Sequence, residues 1–470
     1  MVYMAHYASV ITIIFSIGQA FVSTMISVML ALPLAYFFAL YSFRSKAAWL
    51  SLCMVLTIMP TKFVALCVTS FGMCGFWGII FGHVLLNVPF ALISLYLVLR
   101  KYDATLYMAA AQAGASRLHY YKDIMWPVVR PAVLSTIILI FIICFASFSI
   151  PLLVGTGAHH YTLDLIIQNA YGVGDYGTVV GYSILRLLVF IPVVWLLGQT
   201  QHNINHQIIA LVPRENNYAP SVHGWGFFVY GALVALSILM PVLFFIYRIV
   251  DAAMFNFWYT AAQGNVDHIL GVSVIHVLYN SLTLGSISAL CVVLVALLIC
   301  YGEQHIVLQR NRFVYIVLTN LPFILGGVLT GILFSAGAGW TGMPRFVLAV
   351  ICHIFLNYPF TYCIIRAQHA LLLPEWRLSA QSLGASSWQM LKTIDFPFLR
   401  SALRNAWMIA FGLSLTEVGA GSILGDAAGI TLPMAIRIYR AHGLDTQAIG
   451  LSFVLLVIVL VVGISQTSSK

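Results

Sequence analysis

Along this chain, long apolar runs alternate with short polar breaks. The runs cover 9–40, 49–71, 76–99, 130–151, 178–200, 225–250, 272–301, 313–335, 343–366, 400–422 and 447–466. Each is about 20 residues or longer, the length a helix needs to cross hydrocarbon. No water is available there to satisfy an open backbone, so a spanning segment must be a helix or a strand of a closed barrel. Barrel strands read as alternating segments of about 10 residues, not as continuous apolar runs. The pattern therefore predicts an all-α polytopic membrane protein with about 11 transmembrane helices. The first run is longer than the apolar core of a typical cleaved leader and lacks a basic region before it, so it is read as a span.

Composition agrees with the pattern. Of 470 residues, 61% are hydrophobic and 7% charged, with a mean hydropathy of +0.99. Soluble domains carry about a quarter charged residues, and this chain has too few to cover a surface facing water. The net charge of +9 comes from Lys and Arg scattered at the ends of the runs. Arg44, Lys46, Arg100, Lys101, Arg117, Lys122, Arg130, Arg214, Arg310, Arg312, Arg366, Arg377, Lys392, Arg400, Arg404 and Lys470 all fall on one side of the predicted topology. By the positive-inside rule that side is the cytoplasm, which puts the N-terminus outside. A nucleic-acid partner would instead need these charges gathered on one polar face. The eight cysteines form no CxxC pair and read as small buried hydrophobes. His159 and His160 adjoin without a third ligand, so no metal site is assigned.

The polar breaks are not all alike. "AAAQAGASRLHYYKDIMWP", Ala109 to Pro127, returns as "SAQSLGASSWQMLKTIDFP", Ser379 to Pro397. Ala110, Gly114, Ala115, Ser116 and Pro127 match Ala380, Gly384, Ala385, Ser386 and Pro397, all 270 residues apart. The same offset joins "HVLLNVPF" to "HIFLNYPF", pairing His83 with His353 and Asn87 with Asn357. Farther upstream Pro60 matches Pro322 at an offset of 262. The chain thus reads as a tandem duplication. Six predicted spans separate the two polar segments, so both lie on the same, cytoplasmic side and the repeats are parallel. We assign 1–200 to a first half with about 5 spans, 201–222 to a cytoplasmic linker and 223–470 to a second half with about 6. The span at 225–250 has no counterpart before Ile11, leaving the first half one short. In each segment Ala110 or Ala380 lies four residues before a glycine, giving a small-residue face that another backbone can approach, with the glycine supplying a turn. His83 and His353 are expected to hydrogen-bond across helices.

These residues carry a resemblance. The two polar segments resemble the EAA-type coupling loop of permease subunits in binding-protein-dependent ABC importers, and the two-copy arrangement is similar to the fused permeases of the thiamine and ferric-iron importer group. "FASFSIPLLVGTGAHHYTLDLIIQNAY" and "LSLTEVGAGSILGDAAGITLPMAIRIY" are similar to the segments C-terminal to the loop in those proteins. Two departures stand out: Met108 and Leu378 occupy the position of the motif Glu, and Trp126 and Phe396 that of the Leu before the proline. The resemblance implies a multi-pass permease of the bacterial cytoplasmic (inner) membrane, forming the path of a small solute delivered by an external or periplasmic binding protein. It implies two copies of an ATP-binding cassette ATPase on the cytoplasmic face. The chain itself is read as no enzyme and as needing no cofactor: it has no G-x-x-x-x-G-K-[ST] and no loop long enough for a nucleotide-binding domain. The alternative is an ion-coupled secondary transporter, since such carriers are also built from parallel repeats.

Three ionisable residues fall inside apolar runs: Lys62, Arg186 and Glu417. A charge at that depth costs at least about 2.5 kcal/mol on insertion scales, so each is a candidate for the translocation path. Lys62 and Arg186 have stems long enough to reach an interface, whereas Glu417 does not. The first-half counterpart of Glu417 is the neutral Ser147.

Overall fold

The structure is a computed structural model. It describes residues 2–40, 46–57, 59–99, 110, 112–116, 119–155, 160–209, 229–232, 236, 239, 243, 247, 252–302, 320–369, 371–372, 374–424 and 429–467. It forms an all-α polytopic membrane protein in two units, Met1–Asp251 and Ala252–Lys470.

In the first unit the helices are α1 (Val2–Leu40), α2 (Lys46–Thr57), α3 (Thr61–Ser70), α4 (Gly75–Leu99), α5 (Trp126–Phe145), α6 (Ser149–Val154), α7 (Leu163–Gly172) and α8 (Tyr176–Ile209). α1 packs along α4 and α5, while α3 lies against α4 and α6. Short residues let these backbones approach, and the seam of α1 is polar: Ser16, Gln19, Ser23, Thr24 and Ser27 are all buried. Gln19 Nε2 donates to the carbonyl of Cys144 at 3.1 Å, and Ser16 Oγ accepts from the N–H of Leu163 at 3.1 Å. Such bonds replace the hydrophobic drive that lipid does not supply between helices. A helical piece at 229–232 also belongs to this unit, with the Tyr230 hydroxyl donating to the Leu30 carbonyl at 3.0 Å. Of the expected linker at 201–222, residues 201–209 continue helix α8, while 210–222 and most of the run at 225–250 lie outside the described residues.

In the second unit the helices are α9 (Ala252–Ala262), α10 (Val274–Gly302), α11 (Leu321–Thr341), α12 (Arg345–His369), α13 (Pro374–Ser382), α14 (Ser387–Met390), α15 (Phe396–Thr416), α16 (Gly419–Leu424), α17 (Leu432–Ala441) and α18 (Asp445–Thr467). α10, α12 and α15 pack as a trio, and α11 lies against α12 and α16. α11 is broken at Gly326, whose φ of 63° only glycine adopts readily. The next glycines are contact points: a Cβ on Gly331 would lie 2.9 Å from Cα of Ala420. Backbone thus meets backbone between α11 and α16, as small residues permit inside membranes.

Compared internally, the two units repeat. Adding 270 carries α4 onto α12 and α6 onto α16 with both ends coinciding, and α5 onto α15 to within one residue. Asn87 Nδ2 donates to Cys144 Sγ at 3.1 Å, and Asn357 Nδ2 to Ser414 Oγ at 2.8 Å, between residues 270 apart. The Ser16 bond likewise has a partner, Leu432 N–H to Ser281 Oγ at 2.6 Å.

Among the described residues six helices are long and apolar enough to cross a bilayer, and three further apolar helices are shorter, as the polytopic reading expects. Several other expectations need correction. The run at 49–71 is not one helix. α2 stops at Thr57 and α3 restarts after Pro60, because proline disfavours helix in the residue before it. The runs at 130–151 and 400–422 each divide into a long helix and a six-residue one. The interhelical hydrogen bonds expected of His83 and His353 are not formed: neither ring nitrogen of His83 has a partner, nor has Nδ1 of His353. The asparagine one turn on makes the bond in each case. Cys74 and Cys363 are exposed and Cys291 half-buried, so only five of the eight cysteines are buried.

Candidate functional site

Each polar segment is built around a glycine turn. Gly114 has φ +81° and Gly384 φ +83°, in the left-handed region. The turn is closed the same way twice: Ala115 N–H donates to the Ala110 carbonyl at 2.9 Å, and Ala385 N–H to the Ala380 carbonyl at 3.0 Å. This is how a helix ends on a left-handed glycine, its last carbonyls taken by the residues just after it. Both glycines are exposed, and among the described residues, chain neighbours aside, no heavy atom lies within 4 Å of where a Cβ would stand. The glycine is therefore required by backbone conformation, and no described residue beyond its neighbours competes for the space above it.

A new helix starts at once. Ser386 caps α14 in a reciprocal box: its Oγ accepts from Gln389 N–H at 3.3 Å, and Gln389 Oε1 accepts from Ser386 N–H at 2.8 Å. In the first copy His119 replaces Gln389. Ser116 Oγ accepts from His119 N–H at 3.4 Å and lies 2.8 Å from His119 Nδ1. Each new helix passes through one wide π turn, Tyr120–Met125 or Leu391–Asp395, and continues into α5 or α15 with Pro127 or Pro397 in its first turn. Proline has no N–H to donate and its ring crowds the carbonyl one turn back, and the wide turn that immediately precedes it accommodates both. The polar segment is thus continuous in backbone with a long apolar helix. Met108 lies outside the described residues, while Leu378 is exposed together with Leu383 and Trp388.

The candidate path residues divide. Glu417 ends α15, and its Oε1 accepts from Ala420 N–H at 3.1 Å, capping α16. It is half-buried and lines a small cleft, with Ser281, His353, Ser414, Thr431 and Met434 among the other walls. A Cβ on Gly327 would come within 2.5 Å of Glu417 Oε1, so that glycine makes room for the carboxylate. Lys62 and Arg186 are each 1% exposed. Arg186 does not reach an interface as its stem would allow. It is held inside the first unit by an ion pair with Asp164, and its guanidinium stands 4.7 Å from the ring centre of Phe190. The sequence reading missed Asp164, which sits in the short helix α7; an acidic residue within "TLDLIIQ" was the available signal. The structure brings Glu417 and His353 to one cleft.

Outside the apolar helices, Arg377 of α13 grips Asp395 with two hydrogen bonds, Nε to Oδ1 at 3.0 Å and Nη2 to Oδ2 at 2.9 Å. Burial pulls the Arg377 guanidinium down, but Asp395 outweighs it and holds the group above its ordinary value.

No family model matches the chain. It is 24% identical over 449 residues to the thiamine transport system permease protein ThiP of Escherichia coli, covering 89% of this chain and 81% of that protein. To the protein of the same name from Brucella abortus it is 24% identical, covering 94% and 84%. To the Fe(3+)-transport system permease protein FbpB 2 of Haemophilus influenzae it is 22% identical, covering 90% and 81%.

Proposed function

We infer that the chain is the permease component of an ABC-type importer in the bacterial cytoplasmic membrane, and that its two glycine turns are the points where a separate ATPase takes hold. The observation that carries this reading is the doubled turn: two exposed left-handed glycines, each followed by a capped helix that runs on into a long apolar one. Similarity to transport permeases over about nine-tenths of the chain supports it.

In this reading Ala110, Gly114, Ala115, Ser116 and Pro127 form one coupling site and Ala380, Gly384, Ala385, Ser386 and Pro397 the other. Each offers a protruding turn to a cleft on one of two ATPase copies. Because α5 and α15 continue from these segments, a push on the turn becomes a displacement of a helix in the bilayer. Closure of the ATPases on ATP rocks one half against the other and opens the path alternately to either side. An external binding protein supplies the solute at the opposite face. Glu417, facing the cleft at the break between α15 and α16, stands on the path, while Lys62 and Arg186 serve the packing of the first unit. By sequence repeat the two halves are 1–200 and 223–470 with a linker at 201–222, although helix α8 continues into the linker as far as Ile209 and the piece at 229–232 packs with the first unit.

The test is uptake. Cells lacking their own thiamine and ferric-iron importers, supplied with this chain together with an ATPase and a binding protein of that importer group, are expected to accumulate one labelled solute in an ATP-dependent manner. The ATPase should co-purify with the tagged chain. Uptake that tracks an imposed ion gradient without ATP would establish the secondary-carrier alternative.

A further inference from the structure

The two coupling segments are alike in backbone but not in how they are tied to the apolar helices behind them. In the second unit, Arg377 on α13 sits at the centre of a four-residue cluster. Its two donors take both oxygens of Asp395, the last residue of the π turn, which is 4% exposed. Its Nη2 also lies 3.4 Å from Nε2 of His369, the last residue of α12. A guanidinium only donates, so in this contact Nε2 of His369 is the accepting side. The Arg377 guanidinium lies 5.4 Å from the ring centre of Tyr301, near the end of α10, and that ring meets His369 edge-on at 5.1 Å. One side chain therefore touches α10, α12 and the base of α15 together.

The first half lacks these groups. At an offset of 270, Arg377 and Asp395 become Tyr107 and Met125, and His369 becomes Leu99. A two-pronged Arg–carboxylate pair fixes direction as well as distance, which neither a tyrosine nor a methionine does.

We propose that Arg377 is a positioning residue that clamps the second coupling segment to α10, α12 and α15, making this half the stiff lever through which the ATPase moves the bundle. The proposal rests on the importer reading for its function, but the clamp itself is a property of the chain.

Two measurements test it. With a spin label at Ser382, in the full chain in lipid nanodiscs, Arg377→Met and Asp395→Asn should each increase label mobility, and the charge swap Arg377→Asp with Asp395→Arg should restore it. Unchanged mobility in both single variants, or a swap that fails to restore order, overturns the clamp. In the uptake assay above, with thiamine and ferric ion as probes, the single variants should lower uptake about tenfold at equal membrane level, with recovery in the swap. Full uptake in both single variants overturns the lever. Loss of ATPase co-purification in them also overturns it, by placing Arg377 in the docking surface. Absence of ATP-dependent uptake in the unaltered chain sinks the importer reading and leaves the label result standing.

Discussion

Replacing Gly384 with alanine and, separately, with asparagine divides two reasons for a glycine. The φ of +83° is costly for any residue with a Cβ, by roughly 1–2 kcal/mol for alanine. Asparagine tolerates this region better, although its side chain is larger. Among the described residues, chain neighbours aside, nothing lies within 4 Å of the added Cβ, so the cost is taken as that of the backbone. A penalty of about 1–2 kcal/mol lowers the ratio of native to non-native turn by a factor of about 5–30. If docking needs that turn, Gly384→Ala should lower uptake by up to that factor, and Gly384→Asn by clearly less. Gly114, with φ +81° and the same open surroundings, should behave alike. The assay is ATP-dependent uptake normalised to the chain present in the membrane, with thermal unfolding as a control that should barely move. A Gly384→Asn variant as defective as Gly384→Ala, or worse, would refute the backbone explanation and show that the partner needs the space. Normal uptake in the double alanine variant would show that neither turn is used.

Three further outcomes are expected. Reporter fusions after Lys101 and Arg377 should read cytoplasmic and those near Gly157 and Gly429 external; opposite signals at the two polar segments would end the parallel-repeat assignment. Glu417→Gln keeps an oxygen to accept from Ala420 N–H, so the melting temperature should hold while uptake falls, whereas Glu417→Ala also loses the cap, at about 1 kcal/mol. Uptake unchanged in the glutamine variant across solute concentrations would remove Glu417 from the path. Arg186→Met should destabilise the chain by about 3–5 kcal/mol by leaving Asp164 buried alone, and pairing it with Asp164→Leu should recover most of that in thermal unfolding; no recovery would mean that the ion pair is not what Arg186 supplies.

How much the residues reveal depends on how far each feature reaches along the chain. Helical class, apolar runs and the 270-residue register are local or periodic, and composition carries them. The glycines at 114 and 384 were legible because a glycine recurring at one place in two copies points to a special backbone. Breaks inside apolar stretches were not. The interruption between Thr416 and Gly419 changes neither hydropathy nor length of the run, and depends on α16 finding the glycine face of α11. Pro60 did announce its break, but a run of apolar residues on either side outweighed it in the reading. Pairings that close over longer distances were hidden for a similar reason. Arg186 and Asp164 are 22 residues apart, and Arg377 and Asp395 are 18 apart on separate helices, so neither pair shares a helical face whose spacing could be counted. The histidines misled because a polar residue in an apolar run suggests a partner, while the bonds went to Asn87 and Asn357 one turn later.

The two π turns set a compass bearing. A π turn accommodates an additional residue within an otherwise regular helix, and each residue of an α-helix advances it by about 100°. At Tyr120–Met125 and Leu391–Asp395 the wide turn therefore decides which way the preceding glycine turn points around the axis of the apolar helix beyond it. Had either turn been regular α-helix, the same residues would have faced a different quarter of the circle. Azimuth is thereby written into each polar segment, and a partner gripping either turn meets a heading, relative to the helix behind it, that the chain has fixed in advance.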